Sequence, residues 1–465
     1  MMIDNSQQPA MPKLSQLRLR DKIGYATGDF AILLYLQMVS MYLLFFYTDV
    51  FGLPAATVGI IFLFARVWDG INDPIMGNLV DRIKTSRMGK FRPYLLWGCI
   101  PLAVAAVFCF SVPSLGPTGK IIYASATYVF FGMTYTFITI PYGALTSVIT
   151  QDSKERTDLT AVRGFFAICG GFTVAAVTLP LVDFFGSGDA ARGWQLTMLL
   201  YAFVGTFMFL YCFKNTQERI VIIRREDKLS LGDVLRYLRC NSQLIIFVSS
   251  MLAIIVANVI SQSTMMYYLK YVVKREDLLS PFMAITVACM LAGVFVVAAI
   301  AGKLGKRNSL ALGYAIMILS FLGFYIEGGN NLPLLFISGI LLGFGTAFQA
   351  ALNWAIVADT VEYGEWRSGN RAEGIVYSTA TLMQKIAMAI AGITSGAILS
   401  YTNYVPNAIQ SAEAVFGIRL LMSLIPALFC ILSLIILCFY RLDRHYKQIL
   451  TELNQRKSDS PRHVN

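Results

Sequence analysis

The chain has 465 residues, of which 56% are hydrophobic and only 14% are charged, and its formal net charge is +11. A soluble globular protein of this length carries a larger charged share, so the composition predicts a polytopic membrane protein. In such a protein the basic excess is expected in cytoplasmic loops and not at a nucleic-acid surface.

The first twenty residues are polar and lack the apolar core of a cleavable signal peptide, so the first span is expected to act as its own insertion signal. Most of the eight cysteines lie in apolar runs, which indicates small buried side chains and neither zinc ligands nor disulfides. The two histidines, His445 and His463, lie in the polar tail. Without an acid–base or nucleophile cluster outside the membrane, we expect no enzyme activity and no cofactor.

Twelve runs are long and apolar enough to cross a bilayer, for which a helix needs about 20 residues. The predicted fold class is therefore all-α, with twelve transmembrane helices in two bundles of six. In the first half the expected spans are residues 24–48, 55–80, 94–113, 120–149, 160–185 and 193–213. In the second half they are residues 243–269, 280–301, 308–327, 332–358, 374–401 and 415–440.

The longest internal polar stretch, residues 214–242, divides these spans six and six. We therefore predict a first unit over 1–213, a basic cytoplasmic linker over 214–242, a second bundle over 243–440 and a cytoplasmic tail over 441–465. Two six-span halves are the outline of the major facilitator architecture, in which the substrate binds between the bundles near the midplane.

The loops alternate in charge. The loop after the second span, DRIKTSRMGKFRP, is strongly basic, and Lys and Arg recur after the fourth and eighth spans and in the linker. The opposite loops carry few basic residues, apart from Lys270, Lys274 and Arg275 after the seventh span. By the positive-inside rule, both termini are expected on the cytoplasmic side of a bacterial inner membrane.

The second span contains RVWDGINDPIMG, with Asp69, Asn72 and Asp73 at positions i, i+3 and i+4. This spacing places all three on one helix face. Each intramembrane charge costs about 2.5–3.5 kcal/mol on insertion scales, so a carboxylate pair needs a partner. Either one aspartate is protonated or a cation lies between them, or one aspartate forms a structural ion pair with Arg66 or with a base on another helix.

Other polar side chains fall within the spans. Lys385 is the only charged residue between Glu373 and Glu413. It can form a structural ion pair with the second span, donate hydrogen bonds to a substrate, or do both. Arg163, near the start of the fifth span, fits an interfacial role or a substrate or gate role, and Asp29 fits a gate or packing role. Tyr135, Thr136 and Thr139 form a polar stripe on the fourth span, and Trp68, Tyr142, Trp354 and Tyr377 could stack on a sugar ring.

The motifs YLLFFYTDVFGLP, ARVWDGINDPIMG, GKFRPYLLWG, GMTYTFITIPYGAL, QDSKERTDL and ADTVEYGEWRSGNRAEGIVYS span nearly the whole chain. Together they resemble the glycoside–pentoside–hexuronide:cation symporter family. The resemblance implies a coupling-cation site at Asp69, Asn72, Asp73 and Thr136. It implies substrate contacts from Tyr135, Thr139, Arg163, Thr381 and Lys385. It also implies gating contacts from Asp29, Arg66, Glu362, Glu365, Arg367, Arg371 and Glu373.

The sequence departs from the galactoside-binding pattern of that family. Leu33 and Thr139 stand where the pattern has aspartates, and Gly143 stands where it has a tryptophan. The loss of two carboxylates near Arg163 and Lys385 predicts poor α-galactoside binding. A pentoside, a glucoside or a hexuronide is expected instead, and the excess positive charge favours the acidic sugar.

We therefore predict a monomeric transporter in the lipid bilayer that imports a small sugar by alternating access, driven by Na⁺ or H⁺, with Na⁺ favoured. An uncoupled sugar facilitator would not need the aspartate pair. A lipid-type transporter of the same fold would need a lateral apolar cleft and no cation.

Overall fold

The computed structural model describes residues 17–82, 88–150, 153–219, 231–370 and 372–459. Within these ranges the chain is almost entirely helical, and twelve helices are long and apolar enough to cross a membrane. The predicted all-α fold with twelve spans is confirmed.

The first six spans begin with α1 (Leu19–Phe45), which a π-helical turn extends over Phe46–Val50. They continue with α2 (Ala55–Arg82), α3 (Arg92–Cys109), α4 (Pro117–Ile149), α5 (Ser153–Gly186) and α6 (Ala190–Asn215). A short helix, α7 (Leu231–Cys240), follows within the segment predicted as a linker. The predicted boundaries of that linker stay a prediction, because residues 220–230 lie outside the described ranges.

The second six spans begin with α8 (Ser242–Tyr267), which continues as a π-helical turn over Tyr268–Val273. Next come α9 (Leu279–Leu304), α10 (Lys306–Glu327), α11 (Leu332–Ser368) and α12 (Glu373–Tyr401). The last span consists of α13 (Ala412–Met422) and α14 (Leu424–Cys438), and α15 (Leu442–Asp459) follows it.

Two elements differ from the sequence expectation. The last span is broken at Ser423, because Pro426 has no N–H and its ring would clash with a carbonyl one turn back. Helix α11 continues past the predicted end at 358 to Ser368, where Gly369 adopts a left-handed conformation (φ 77°) that ends it. At 1.5 Å per residue α11 is about 55 Å long and extends beyond the hydrocarbon core.

The helices pack into two groups. In the first, α1 contacts α5 and α6, α3 contacts α4 and α6, and α2 contacts α4. In the second, α11 contacts α9 and α10, and α14 contacts α8 and α10. The groups meet along three helix pairs, α2 with α12, α1 with α8, and α5 with α9.

The groups are joined at the end of the molecule where α1 finishes, which we call the closed end. Here α2 and α12 meet through glycines. A Cβ atom on Gly396 would lie 2.6 Å from the carbonyl oxygen of Ala55 and 3.0 Å from the Cα of Gly59. Only a residue without a side chain allows this backbone approach.

Toward the opposite end, which we call the cleft end, the facing surfaces separate. Gly143 lies two turns from Thr136 on the same face of α4, and it is exposed with open space beside it. Thr381 lies one turn from Lys385 on the facing side of α12 and is also exposed. A cleft therefore leads from this end toward the middle of the molecule.

We expect Gly396→Ala to push α2 and α12 apart, because the added methyl group has no room. Overpacking of this kind costs about 1–3 kcal/mol, so the thermal unfolding temperature of the purified protein should fall. Gly374→Ala on the same helix is the matched control, since nothing lies within 4 Å of that position. Equal unfolding temperatures for both variants and the wild type would contradict the tight glycine contact.

Candidate functional site

Asp69, Asn72 and Asp73 lie along one stripe of α2 at membrane depth. Asp69 and Asn72 are buried, whereas Asp73 is partly open to the cleft, with 24% of its side chain exposed. The two carboxylates are close enough to interact electrostatically with each other and with Lys385. The stripe therefore concentrates negative charge where α2 faces α4 and α12.

Each carboxylate has its own cationic partner. Arg66 Nη1 donates to Asp69 Oδ2 at 2.9 Å, and Arg66 Nη2 donates to the hydroxyl of Tyr128 at 2.6 Å. Lys385 on α12 forms an ion pair with Asp73 across the boundary between the two bundles. Both carboxylates thus have a counter-charge from the protein itself. Arg66 lies in this central cluster because Asp69 is its neighbour one turn along α2, and the gating role expected of it stays a prediction.

Neutral oxygen atoms complete the cluster. Thr136 Oγ1 on α4 donates to Asp73 Oδ1 at 3.0 Å, which links α4 to the α2 carboxylate. The amide nitrogen of buried Asn72 has no hydrogen-bond partner. No group of three His, Cys, Asp or Glu side chains that could hold a metal occurs in the described ranges. Two carboxylates with Asn and Thr oxygens suit a hard cation that prefers oxygen ligands.

The backbone of α4 packs directly against this cluster at Gly132. A Cβ atom at that position would lie 2.6 Å from Asp69 Oδ1. The glycine therefore sets the distance between α2 and α4, and it brings Thr136, one turn further along α4, to Asp73.

Arg163 occupies a second cluster, within the first bundle. It holds Asp29 with two hydrogen bonds, Nε to Oδ2 at 2.6 Å and Nη2 to Oδ1 at 3.1 Å. Its guanidinium also lies over the rings of Tyr25 and Tyr142, and Tyr142 donates to Asp29 at 2.5 Å. In this conformation the Arg163 guanidinium is engaged by Asp29 and by the two rings. The substrate contact expected of Arg163 and the gate or packing role expected of Asp29 stay predictions.

The other candidate substrate residues are spread along the cleft. Tyr135 stacks on Phe131, with ring centroids 5.9 Å apart, and lies within electrostatic range of Arg66, Asp69 and Asp29. Thr139 is half-buried one turn further along α4. Thr381 is exposed on α12, where its hydroxyl donates to a backbone carbonyl in its own helix.

The four candidate stacking residues have different surroundings. The rings of Trp354 and Tyr377 are stacked at 6.0 Å with an interplanar angle of 23°, and both are more than a third exposed. Trp68 is also exposed, whereas Tyr142 is buried and engaged with Asp29. The stacked pair of Trp354 and Tyr377 joins α11 to α12 toward the cleft end.

A cavity of about 240 Å³ lies between α1 and α5 of the first bundle and α8, α9 and α11 of the second. Its polar lining consists of amides and hydroxyls, and its apolar lining includes Leu33 and several methionines. None of its lining residues is charged. The polar residues are Gln37, Asn258, Ser261, Gln262, Thr286 and Thr346.

The sequence analysis missed these amides. Their signal was present, because Gln37, Asn258 and Gln262 each interrupt a long apolar run. Asn258 is held in place by Gln349 on α11, to whose side-chain oxygen it donates at 2.8 Å. Such fixed amides can donate to and accept from the hydroxyls of a neutral ligand.

Of the candidate gating residues, Glu362 and Arg367 make contacts within the second bundle. Glu362 accepts a hydrogen bond from Tyr446 of α15, and Arg367 lies over the ring of Trp366. Glu365 and Glu373 also have interaction partners. Arg371 lies outside the described residues.

The closed end contains a cluster that the sequence analysis did not identify. Asp49, buried after the end of α1, accepts hydrogen bonds from Tyr271 and from Tyr404, the latter at 2.7 and 2.8 Å. Lys270 lies 3.6 Å away, and Thr48 bonds to the hydroxyl of Tyr267 at 2.7 Å. Burial and the Asp49 carboxylate raise the pKa of Tyr404 above its ordinary value, so this phenol stays a donor. One acidic residue of the first bundle thus gathers several donors from the second.

Comparison with known proteins supports a transport role. The family model described as MFS/sugar transport protein matches residues 24–444. The chain is 35% identical over 430 residues to the putative glycoside/cation symporter YagG of Escherichia coli (92% of this chain, 93% of the relative). It is 34% identical over 442 residues to the isoprimeverose transporter of Lactiplantibacillus pentosus (94% and 91%). It is 33% identical over 456 residues to a putative sulfoquinovose importer of Escherichia coli (96% and 96%).

Among solved structures, the fold is similar to a bacterial homologue of the human lysosomal transporter Spinster in an inward-facing, unoccupied conformation. The TM-score is 0.68 at 13% sequence identity, and the match covers 92% of this chain and 98% of that structure. This likeness establishes the transporter fold of the major facilitator type.

We expect the Asp29–Arg163 pair to be structural. Removal of one partner leaves a buried charge unpaired and costs about 3–5 kcal/mol, whereas removal of both costs less. Asp29→Asn and Arg163→Gln should therefore each lower the thermal unfolding temperature, and the double variant should recover part of the loss. A stable Arg163→Gln protein that has lost only sugar binding would instead assign Arg163 to the substrate.

Proposed function

Since the chain belongs to the MFS/sugar transport protein family, it is a multi-pass membrane transporter and not an enzyme, and we propose that it is a cation-coupled importer of a neutral glycoside. The observation that carries this proposal is the stripe of Asp69, Asn72 and Asp73 on α2, which faces Thr136 of α4 and Lys385 of α12. The ion pair of Asp73 with Lys385 crosses from one bundle to the other, so a soluble cation that replaces Lys385 there would act on both bundles.

Coupling follows from a change of partner at Asp73. In this conformation Lys385 neutralises Asp73 from the opposite bundle. A coupling cation at Asp69 and Asp73 replaces the ammonium group and releases Lys385 toward the cleft. The freed Lys385 then donates hydrogen bonds to sugar hydroxyls. Cation binding thereby favours sugar binding, because the sugar supplies hydrogen-bond acceptors to the ammonium group that the cation has displaced.

We propose Na⁺ as the coupling ion in preference to H⁺. A proton needs only one carboxylate, whereas this cluster adds the neutral oxygens of Asn72 and Thr136 to its two carboxylates. Oxygen-rich sites of this kind suit hard metal cations.

We propose that both termini face the cytoplasm, which makes the cleft end the inner side and this conformation inward-open. The basic loops support that orientation by the positive-inside rule. The cluster around Asp49 is then the outer gate, in which Tyr271 and Tyr404 of the second bundle hold the end of α1. Opening toward the outside requires these hydrogen bonds to break.

The substrate is proposed to be uncharged. The sequence favoured an acidic sugar because the loss of two carboxylates near Arg163 and Lys385 predicts excess positive charge. Arg163 is paired with Asp29, and the cavity lined by Gln37, Asn258 and Gln262 holds no charged side chain. The amides of this cavity suit the hydroxyls of a neutral sugar.

We expect Asp73→Asn to abolish Na⁺-stimulated sugar accumulation in proteoliposomes, because the cation loses an anionic oxygen. The loss should be tenfold or more. Asp277→Asn, an exposed carboxylate at the closed end, is the control and should transport normally. Accumulation by Asp73→Asn against a gradient would remove the coupling role from this cluster.

A competition experiment tests the substrate class. Xylosides and glucosides should compete for the transported site at least tenfold better than the corresponding glucuronides, and melibiose should compete poorly. Gln37→Ala and Asn258→Ala should each weaken binding of the neutral sugar about tenfold through lost hydrogen bonds. Preference for a glucuronide would overturn the neutral-substrate proposal and leave the cation proposal standing.

A further inference from the structure

A separate pocket of about 360 Å³ lies at the cleft end of the second bundle. It is enclosed by the start of α8, the end of α11 and the region where α15 follows α14. Neither the α2 carboxylates nor the amide-lined cavity contributes to it. Its lining includes Tyr363, Trp366, Arg367, Arg441 and His445.

The pocket contains basic side chains without a counter-charge. Arg367 and Arg441 are exposed, and neither guanidinium forms an ion pair with any carboxylate in the described part of the chain. The acidic residue of the pocket, Glu452, accepts a hydrogen bond from the Trp366 indole nitrogen at 2.7 Å. The pocket therefore contains two permanently charged guanidinium groups and one carboxylate, which already accepts a hydrogen bond. The net positive charge would attract an anion into the pocket.

The aromatic residues shape the pocket. Trp366 is fixed by Glu452, and Tyr363 packs beside it with ring centroids 5.9 Å apart. The Arg367 guanidinium lies over the Trp366 ring, 5.8 Å from its centroid. The Arg367 guanidinium forms no hydrogen bond or ion pair with another described residue, and its planar fork matches the oxygens of a phosphate group.

The pocket lies at the level where lipid headgroups meet the protein. The Tyr363 hydroxyl is 3.4 Å from Ser242 Oγ, and the backbone N–H of Arg441 donates to Gln243 at 2.8 Å. The apolar span of α8 begins at Ser242, and the last span ends at Cys438. Aromatic and basic side chains at such a boundary are typical contacts for headgroups, and basic pockets between helices bind anionic lipids.

We propose that this pocket binds a phosphate-bearing anion through Arg367 and Arg441, with His445 at its rim. The phosphate group belongs either to an anionic lipid headgroup or to a soluble phosphate ester. Because the pocket is built from α8, α11 and α15, its occupant links the C-terminal helix to the bundle. The proposal is independent of the coupling ion and of the transported sugar.

The test is calorimetric titration of the purified full-length protein in a maltoside detergent with two probes. One probe is sn-glycerol 1-phosphate, and the other is a short-chain phosphatidylglycerol below its micellar concentration. The pocket variant is Arg367→Gln with Arg441→Gln. The matched control is Arg236→Gln with Arg239→Gln, which removes two exposed arginines from α7. Unfolding temperatures show that each variant is folded.

We expect saturable binding of one probe molecule, at least tenfold weaker in the pocket variant and unchanged within twofold in the control. Arg367→Lys should retain part of the affinity for the probe, because lysine keeps the positive charge. It should not retain all of it, because lysine lacks the paired N–H groups of the guanidinium. Phosphatidylglycerol binding tenfold tighter than the soluble ester identifies a lipid headgroup as the source, and equal affinities identify a soluble phosphate. Absence of saturable binding, or equal loss in the pocket and control variants, overturns the proposal.

Discussion

The ion pair between Asp73 and Lys385 joins the two halves of the molecule at membrane depth. An unpaired charge within the membrane is energetically costly. The ion pair of Asp73 and Lys385 can therefore break only when another group of suitable charge or polarity takes the place of the lost partner. This constraint explains why Thr136, Arg66 and Tyr128 surround the α2 carboxylates, since each satisfies a charge or a polar atom there. It also gives a soluble cation a direct route to influence the relative position of the bundles.

The two contact zones between the bundles differ in chemistry. At the closed end, glycines bring α2 and α12 into backbone contact, and Asp49 accepts hydrogen bonds from tyrosines of the second bundle. At the centre, the contact includes the ion pair of Asp73 with Lys385. We infer that a cation which replaces Lys385 at Asp73 would break this ion pair and so shift the balance between conformations. The amide-lined cavity lies where α1 and α5 face α8 and α9, so that a sugar would touch both bundles.

Much of this arrangement could be predicted from sequence. The run lengths gave the twelve spans, and the spacing of Asp69, Asn72 and Asp73 placed them on one helix face. The pairing of Arg163 with Asp29 could not be predicted, because it depends on how α5 packs against α1. The amides at Gln37 and Asn258 were visible as isolated polar residues, yet only the tertiary structure brings them to one cavity. The helix break before Pro426 could have been predicted, because proline cannot continue a regular helix. The role of Asp49 could not, because its tyrosine partners lie far away in the chain.

The most direct test of the account is reciprocity between cation and sugar binding in the purified wild-type protein. Equilibrium binding of radioactive Na⁺ would be measured with and without a saturating neutral glycoside, and glycoside binding with and without Na⁺. The account predicts one Na⁺ per chain and an increase in affinity by the same factor in both experiments, because the coupling free energy is shared. Sugar affinity that is unaffected by Na⁺, together with no saturable Na⁺ binding, would contradict the account.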